Sequence, residues 1–243
     1  MGKTTTTVNL AASLAEYGRR VLVVDFDPQG ALSVNFNADV RNAPTTYDLM
    51  MSPGLDPHTT IQKTDQPLLD VIPATITLSA AEQYLVSEVG RESILSAALN
   101  QIKDDYDVIL IDCQPSLGLL TVNALTAAHG VLIPMATEFF AMRGVAQLTL
   151  TIDKVKSRLN PTLEIDGIIP TMHDPRTLHS KEVLESLEDK FGDKVFKTAV
   201  GRTIKFPEAT VARKPITSFA PASSAAEQYL ALAREFVARG CSA

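Results

Sequence analysis

Five short apolar runs recur along the chain: Val21-Leu22-Val23-Val24, Leu69 to Ile72, Val108-Ile109-Leu110-Ile111, Val131-Leu132-Ile133 and Ile168-Ile169. Each is short, rich in β-branched residues and closed by Asp, Pro or a turn, the pattern of a strand buried on both faces. Amphipathic stretches separate them, and the spacing predicts helices over roughly 3–17, 91–104, 118–128, 143–158, 178–191 and 224–239. A strand apolar on both faces needs a cover on each side, and parallel neighbours need crossovers. Strand–helix alternation supplies both, so the fold class is α/β: a doubly wound, mostly parallel sheet flanked by helices. Residues 37–67, rich in Pro, Asp, Thr and Asn, predict loops and a short helix. No repeat, low-complexity tract or linker divides the 243 residues, so residues 1–243 are expected to form a single domain.

Composition excludes several classes. Apolar content of 45% and charged content of 21% are ordinary for a globular protein. No apolar run reaches the roughly 18–20 residues that span a bilayer, and no signal-peptide pattern opens the chain, so a cytoplasmic protein without a membrane partner is expected. Cys113 and Cys241 lie too far apart for a zinc pattern or a disulfide framework and cannot supply paired iron–sulfur ligands. With a net charge of -6, nucleic acid could be held only by a local basic patch.

Three segments carry chemistry. The chain opens Met1-Gly2-Lys3-Thr4-Thr5, which matches the second half of a phosphate-binding loop, G-x-x-x-x-G-K-[ST]. In that loop backbone N–H groups cradle phosphates, the Lys reaches the β/γ-phosphates and the hydroxyl holds Mg²⁺. Taken alone, GKTT reads equally as a helix start with Thr caps. The second segment, RRVLVVDFDPQG, ends a buried strand on Asp25 and adds Asp27. Ligands bind at the carboxyl ends of strands in open α/β sheets, and strand alternation turns both carboxylates to one side. Beside a triphosphate they would hold a metal's waters or orient an attacking water; without one they are a polar turn. In the third, YDVILIDCQPSLGLL, four apolar residues lead into Asp112, a second magnesium-side carboxylate or a turn Asp. Cys113 beside it reads as a small buried residue.

Together these phrases resemble the ParA/Soj family of partition ATPases, within the deviant-Walker-A group of phosphate-loop proteins. Further phrases carry the resemblance nearly end to end: GKTTTTVNLAASLA, DVIPATITLSAAE, VLIPMATEFFAMRG, TMHDPRTLHSKEVLE, KVFKTAVGRTIKFPEATVARKPI and FAPASSAAEQYLALARE. The resemblance implies ATP and Mg²⁺ as cofactors. It implies that Gly2, Lys3, Thr4 and Thr5 bind nucleotide, with Lys3 on the β/γ-phosphates and Thr4 on Mg²⁺. Asp25 and Asp27 would form the Walker A′ element, Asp25 on the metal side and Asp27 positioning the hydrolytic water, with Asp112 as the Walker B carboxylate. It also implies an ATP-dependent homodimer on the nucleoid that binds DNA without sequence preference and is stimulated by a ParB-type partner.

The sequence departs from the family at several places. The family loop reads K-G-G-x-G-K-T-T, and here the signature lysine and two glycines are absent, as is the strand before them. Losing a central strand is expected to leave two facing edges unpaired. A misassigned start, with a valine codon read as Met1, is the expectation; upstream DNA lacking in-frame strand-plus-K-G-G codons would refute it. Gln114 stands where Pro is usual, and Arg143 where Glu is usual.

Residues 194–214 carry Lys194, Lys197, Arg202, Lys205, Arg213 and Lys214 against Glu208 alone, a local net of +5 (six basic minus one acidic). Such a cluster is either a solvated face or a sequence-independent phosphate contact. The resemblance favours DNA, through Arg176 and Arg202 first and then Lys205 and Lys214. Two other functions compete. A MinD-type membrane-positioning ATPase would need a basic amphipathic C-terminal helix, which ALAREFVARGCSA only partly supplies. A nucleotide-independent DNA-binding or scaffold protein with a defunct loop is the literal reading of the opening residues.

Overall fold

The computed structural model describes residues 2–137 and 141–241, the side chains of 141–143 excepted. The stretch Glu138-Phe139-Phe140 in the family-like phrase, the Arg143 side chain and the Met1 start therefore lie outside the described residues.

Helix α1 (Lys3–Glu16) begins the fold and leads into β1 (Val21–Phe26). Its four consecutive threonines are poor helix formers, so packing holds it rather than propensity. Val8, Leu10, Ala11, Ala12, Leu14 and Ala15 are all buried. After β1 come α2 (Ala31–Asn35), α3 (Thr46–Met51), β2 (Gln62–Lys63) and β3 (Leu69–Ile72). Then follow α4 (Leu78–Tyr84), α5 (Ile94–Leu99), β4 (Val108–Cys113), α6 (Leu119–Ala127) and β5 (Gly130–Ala136). The last part holds α7 (Ala141–Arg158), β6 (Glu164–Thr171), α8 (Leu178–Phe191), α9 (Lys205–Val211), α10 (Ile216–Phe219) and α11 (Ser224–Ala238).

All five expected strands and all six expected helices occur, several with shifted ends. The stretch 91–104 shortens to α5 followed by a 3₁₀ turn over Lys103–Asp105. The helices missed by periodicity, α2, α4, α9 and α10, have seven residues or fewer, too short to display a period. Strand β2 was also missed: two residues inside the loop-rich 37–67 segment, it pairs antiparallel with β3.

The sheet is interrupted. Strands run in the order β2-β3-β1-β4 in one sheet and β5-β6 in another. Strand β1 pairs in parallel with β3 over Val21–Val24 and with β4 over Val21–Phe26, and β5 pairs in parallel with β6. The far side of β6 bridges Ile168 to Val195, and just past the strand His173 bridges Gly201, so the open edge of β5 is its other one. Among the described residues neither β4 nor β5 has a strand on its second side, and α1 packs against both. The expected pair of unpaired edges is therefore present.

One apolar cluster crosses the interruption. It runs from Val8 and Leu14 on α1 through Val21 and Val71 to Ile169 on β6 and Tyr229 and Leu232 on α11. Small residues on both helices, Ala11 and Ala12 against Ala225, Ala226 and Ala233, let α11 lie close on α1.

Candidate functional site

The amino end of α1 meets the carboxyl ends of β1, β4 and β6. Gly2 sits at φ +97°, a left-handed conformation that side-chain-bearing residues rarely adopt. A Cβ there would meet Thr171 Oγ1 at an ordinary 3.8 Å, so backbone conformation rather than space calls for glycine. The first intrahelical bond runs from the Thr6 amide to the Gly2 carbonyl at 2.8 Å. The amides of Lys3, Thr4 and Thr5 therefore have no acceptor within the helix, and no side-chain cap takes them. Among the described residues these three N–H groups have no acceptor, and at the positive end of a 14-residue helix they form an anion cradle. All three side chains are half-buried.

Asp25 and Asp112 are register partners on the neighbouring parallel strands β1 and β4. Their environments differ. Asp25 is fully buried, and its Oδ2 accepts from the Ser33 amide at 2.8 Å and the Ser33 hydroxyl at 2.6 Å. The Asp27 amide donates to Oδ1 at 3.3 Å. Burial pushes its carboxyl up to about 6, with the Ser33 bonds opposing. Asp112, 1% exposed, has an Oδ2 with no hydrogen-bond partner. Its Oδ1 lies 3.4 Å from the Thr7 hydroxyl. Burial pushes Asp112 up to about 7; the Thr4 hydroxyl and the Lys3 charge oppose this, while Asp25 and Asp27 reinforce it. Asp27 lies just past the strand, half-buried, and accepts the Gln29 amide at 2.9 Å in a turn.

A buried carboxylate oxygen without a partner is costly unless a cation or proton meets it. Magnesium typically takes one or two protein carboxylates and completes its shell with phosphate and water. Among the described residues no three His, Cys, Asp or Glu side chains converge, so an all-protein cage is not built here. The donor set, Asp112 Oδ2 with the Thr4 hydroxyl nearby, fits Mg²⁺ held jointly with a phosphate. Both oxygens of Asp25 accept hydrogen bonds from within the protein, Oδ2 from Ser33 and Oδ1 from the Asp27 amide.

The basic residues assemble as follows. His173 and Gly201 form a parallel bridge, with the His173 amide donating to the Val200 carbonyl at 3.0 Å. The Arg176 loop and the 194–214 segment, separate in sequence, are thus joined. Arg202, Lys205 and Lys214 are exposed, and no ion pair among the described residues engages them. Arg176 is 87% exposed but holds Asp174 in a two-pronged pair, Nε to Oδ1 at 3.0 Å and Nη2 to Oδ2 at 2.9 Å. The Arg176 guanidinium lowers the Asp174 carboxyl to about 2, so the pair stays ionised and part of the arginine's charge is already met. Lys214 also lines a cavity of about 160 Å³ with Thr4, Thr5, Asn9, Asn35 and Phe206, between α1, α2 and α9.

Sequence reading missed Ser33, Thr7, Asn9 and Glu82. Ser33 fixes Asp25 and accepts the Ala74 amide at 2.8 Å. Glu82 Oε1 accepts from Gln114 Nε2 and from the Leu120 amide, both at 3.2 Å, which gives the unusual Gln114 a partner. Thr7 alone carried a signal, standing one helical turn after Lys3.

A family model described as an AAA domain matches residues 1–165. The chain is 46% identical to the sporulation initiation inhibitor protein Soj of Bacillus subtilis, over 99% of this chain and 95% of that protein. It is 43% identical to the chromosome partitioning protein ParA of Myxococcus xanthus, over 98% of this chain and 84% of that one. Among solved structures, a cobyrinic acid a,c-diamide synthase from Mycobacterium smegmatis with bound ATP analog and magnesium superposes with a TM-score of 0.87. It is 36% identical and is matched over 99% of this chain and 91% of its own.

Proposed function

We propose that this chain, which belongs to the Soj/ParA family of P-loop ATPases, hydrolyses ATP and uses the nucleotide to govern its hold on DNA. The family is one of chromosome-partitioning ATPases that use ATP and Mg²⁺. The observation that carries the reading for this chain is the unpartnered, buried Oδ2 of Asp112 beside the free amides of α1. One group offers a site for a cation and the other a site for an anion, and Mg²⁺·ATP presents both.

Lys3 and the amides of Lys3, Thr4 and Thr5 hold the phosphates, and the Thr4 hydroxyl and Asp112 hold Mg²⁺. Bound Mg²⁺ would neutralise phosphate charge that the neighbouring carboxylates otherwise repel. Asp27, half-buried at the mouth, holds the attacking water, and Asp25 steadies α2 behind it through Ser33. The chain acts as an ATP-dependent homodimer on the nucleoid. Arg202 and Lys205 lead its sequence-independent contact with DNA phosphates, with Arg176 and Lys214 in support, and a ParB-type partner stimulates hydrolysis. Two patches brought together by dimerisation bind multivalently, so hydrolysis releases DNA by separating them.

The test is ATP binding and turnover by the 243-residue chain with non-specific DNA present, beside a version extended by a strand and K-G-G. Turnover that depends on Mg²⁺ and is lost in Asp112→Asn supports the reading. Folding and DNA retention by both versions without any ATP binding favours the nucleotide-independent scaffold. Arg202→Glu is expected to abolish DNA retention and leave ATP binding intact; equal loss of both would overturn that division of labour.

The MinD-type alternative finds less support, because the apolar face of α11 is spent on α1 and Arg239 turns inward to Glu235 and the Val195 carbonyl. No helix among the described residues is long and apolar enough to cross a membrane. The name of the M. smegmatis structure favours a second reading, ATP-driven amidation of a carboxylate. That reading needs an acceptor, so DNA-stimulated turnover without one would exclude it.

A further inference from the structure

The basic segment ends in a turn tied to the phosphate cradle from two sides. On the first side stands Asn9 of α1, 4% exposed. Its Nδ2 donates to the Thr5 carbonyl at 2.7 Å, and its Oδ1 accepts the Ile216 amide at 2.7 Å. Ile216 is the first residue of α10, preceded by Pro215, which has no side chain able to cap it. Asn9 therefore caps α10 from another helix while gripping the first turn of its own. Lys214 lies two residues before the capped amide.

On the second side, Arg213 Nη1 donates to Asn37 Oδ1. Both residues are left-handed, at φ +53° and +52°, a conformation that asparagine tolerates and arginine adopts at a cost. Asn37 follows α2, which the Ser33–Asp25 bonds fasten to the carboxylate end of β1. Between these two ties lies the cavity of about 160 Å³, lined by Thr4 and Thr5 on one wall and by Phe206, Ala209 and Thr210 of α9 on the other. Close-packed interiors pass displacement on rigidly, whereas a void at one face leaves a short helix room for a second position.

We infer that Asn9 is a positioning residue that couples nucleotide at the head of α1 to the placement of the basic segment, with the Asn37–Arg213 clasp as its second tether. The inference rests on the ATP-governed DNA binding proposed above. A phosphate that draws the Thr5 end of α1 toward itself shifts the Asn9 amide group, and with it the start of α10 and the lysine-bearing turn before it. Coupling is reciprocal: if ATP tightens DNA, DNA tightens ATP by the same factor.

The test measures DNA retention with and without Mg²⁺·ATP, and ATP affinity with and without DNA, in the full chain and three variants. In wild type both ratios are expected to be equal and about tenfold or more. In Asn9→Ala each ligand still binds alone, while both ratios fall below about twofold. Asn9→Asp keeps the acceptor for Ile216 but loses the donor to Thr5, and is expected to stay uncoupled, separating a relay from a mere cap. Asn37→Ala, on the exposed side, is expected to lower both ratios in a chain that still folds despite alanine's strain at φ +52°, and decides the matter should the buried variants fail to fold. Ratios that survive in folded Asn9→Ala and in Asn37→Ala overturn this inference alone. Wild-type DNA retention that ignores ATP overturns the underlying reading and this inference with it.

Discussion

Strands β1 and β4 lie side by side in register, and each carries a buried carboxylate near its carboxyl end, yet they do opposite things. Every residue of β1 is fully buried and both its edges are paired. On β4 one edge has no strand among the described residues, and Ile109, Leu110, Ile111 and Cys113 are half-exposed. Asp25 on β1 receives three hydrogen bonds, whereas Asp112 on β4 keeps an oxygen, Oδ2, with no hydrogen-bond partner among the described residues. The difference teaches that burial and position do not fix the environment of a carboxylate. What separates these two is whether the protein's own donors satisfy them.

The largest expected effect tests that contrast on activity. Asp112→Asn is expected to lower Mg²⁺-dependent ATP turnover by about 10²-fold or more. Asp25→Ala is expected to show its main loss in stability. It strands the Ser33 amide and hydroxyl in the core, at a cost of about 2–3 kcal/mol by denaturant unfolding. Equal loss of stability in the two variants would erase the distinction between them.

The same contrast governs pH dependence. Folding raises Asp25 from 3.8 to about 6 and Asp112 from 3.8 to about 7, in both cases chiefly through burial. The folded chain therefore keeps protons that the unfolded chain has released across this window. For these two groups stability is greatest below about pH 4, falls as pH rises, and levels off above about pH 7. Asp112→Asn removes the part of this slope that runs up to about pH 7 and is expected to stabilise the ligand-free chain at pH 8 by at most about 4 kcal/mol. At pH 4 it is expected to be neutral. A slope unchanged by the substitution would mean that Asp112 titrates normally.

How much of this was legible in the sequence follows the same line. The apolar runs betrayed all five longer strands, because burial on both faces writes itself into composition. Asp25 and Asp112 were legible as strand-end carboxylates, and Lys3 to Thr5 as a loop fragment. That Asp25 would be consumed by Ser33 was not, because Ser33 lies on a five-residue helix with no period to announce it. The meeting of Arg176 with the Arg202 segment depends on a bridge between His173 and Gly201, a long-range contact that no local pattern encodes. The Asp174 partner of Arg176 stood two residues away, but D-P-R reads as a turn until its geometry is seen.

Packing offers a smaller test. Val23, with no exposed surface and paired strands on both sides, is expected to cost about 2–3 kcal/mol on truncation to alanine. Ile111, half-exposed on the strand with the open edge, is expected to cost about half that on the same truncation. Amide exchange is expected to rank β1 as better protected than β4 or β5. Comparable costs at Val23 and Ile111 would show that the open edge is energetically closed.

The smallest effect probes the contact between the Thr7 hydroxyl and Asp112. The Thr7 hydroxyl, with a single proton to give, lies 3.4 Å from Asp112 Oδ1 and 3.2 Å from the Lys3 carbonyl. Both distances are long, so the bond to the carboxylate is weak and shared. Thr7→Val keeps the β-branched shape and removes the donor, and is expected to change stability by about 0.5 kcal/mol or less. Its direction is informative. Losing a donor to the ionised form disfavours ionisation, so the Asp112 midpoint is expected to move further up, read as a shift in the pH at which stability levels off. A downward shift would mean that Thr7 donates to the Lys3 carbonyl instead and turns a lone pair toward Asp112, widening the contrast with Asp25.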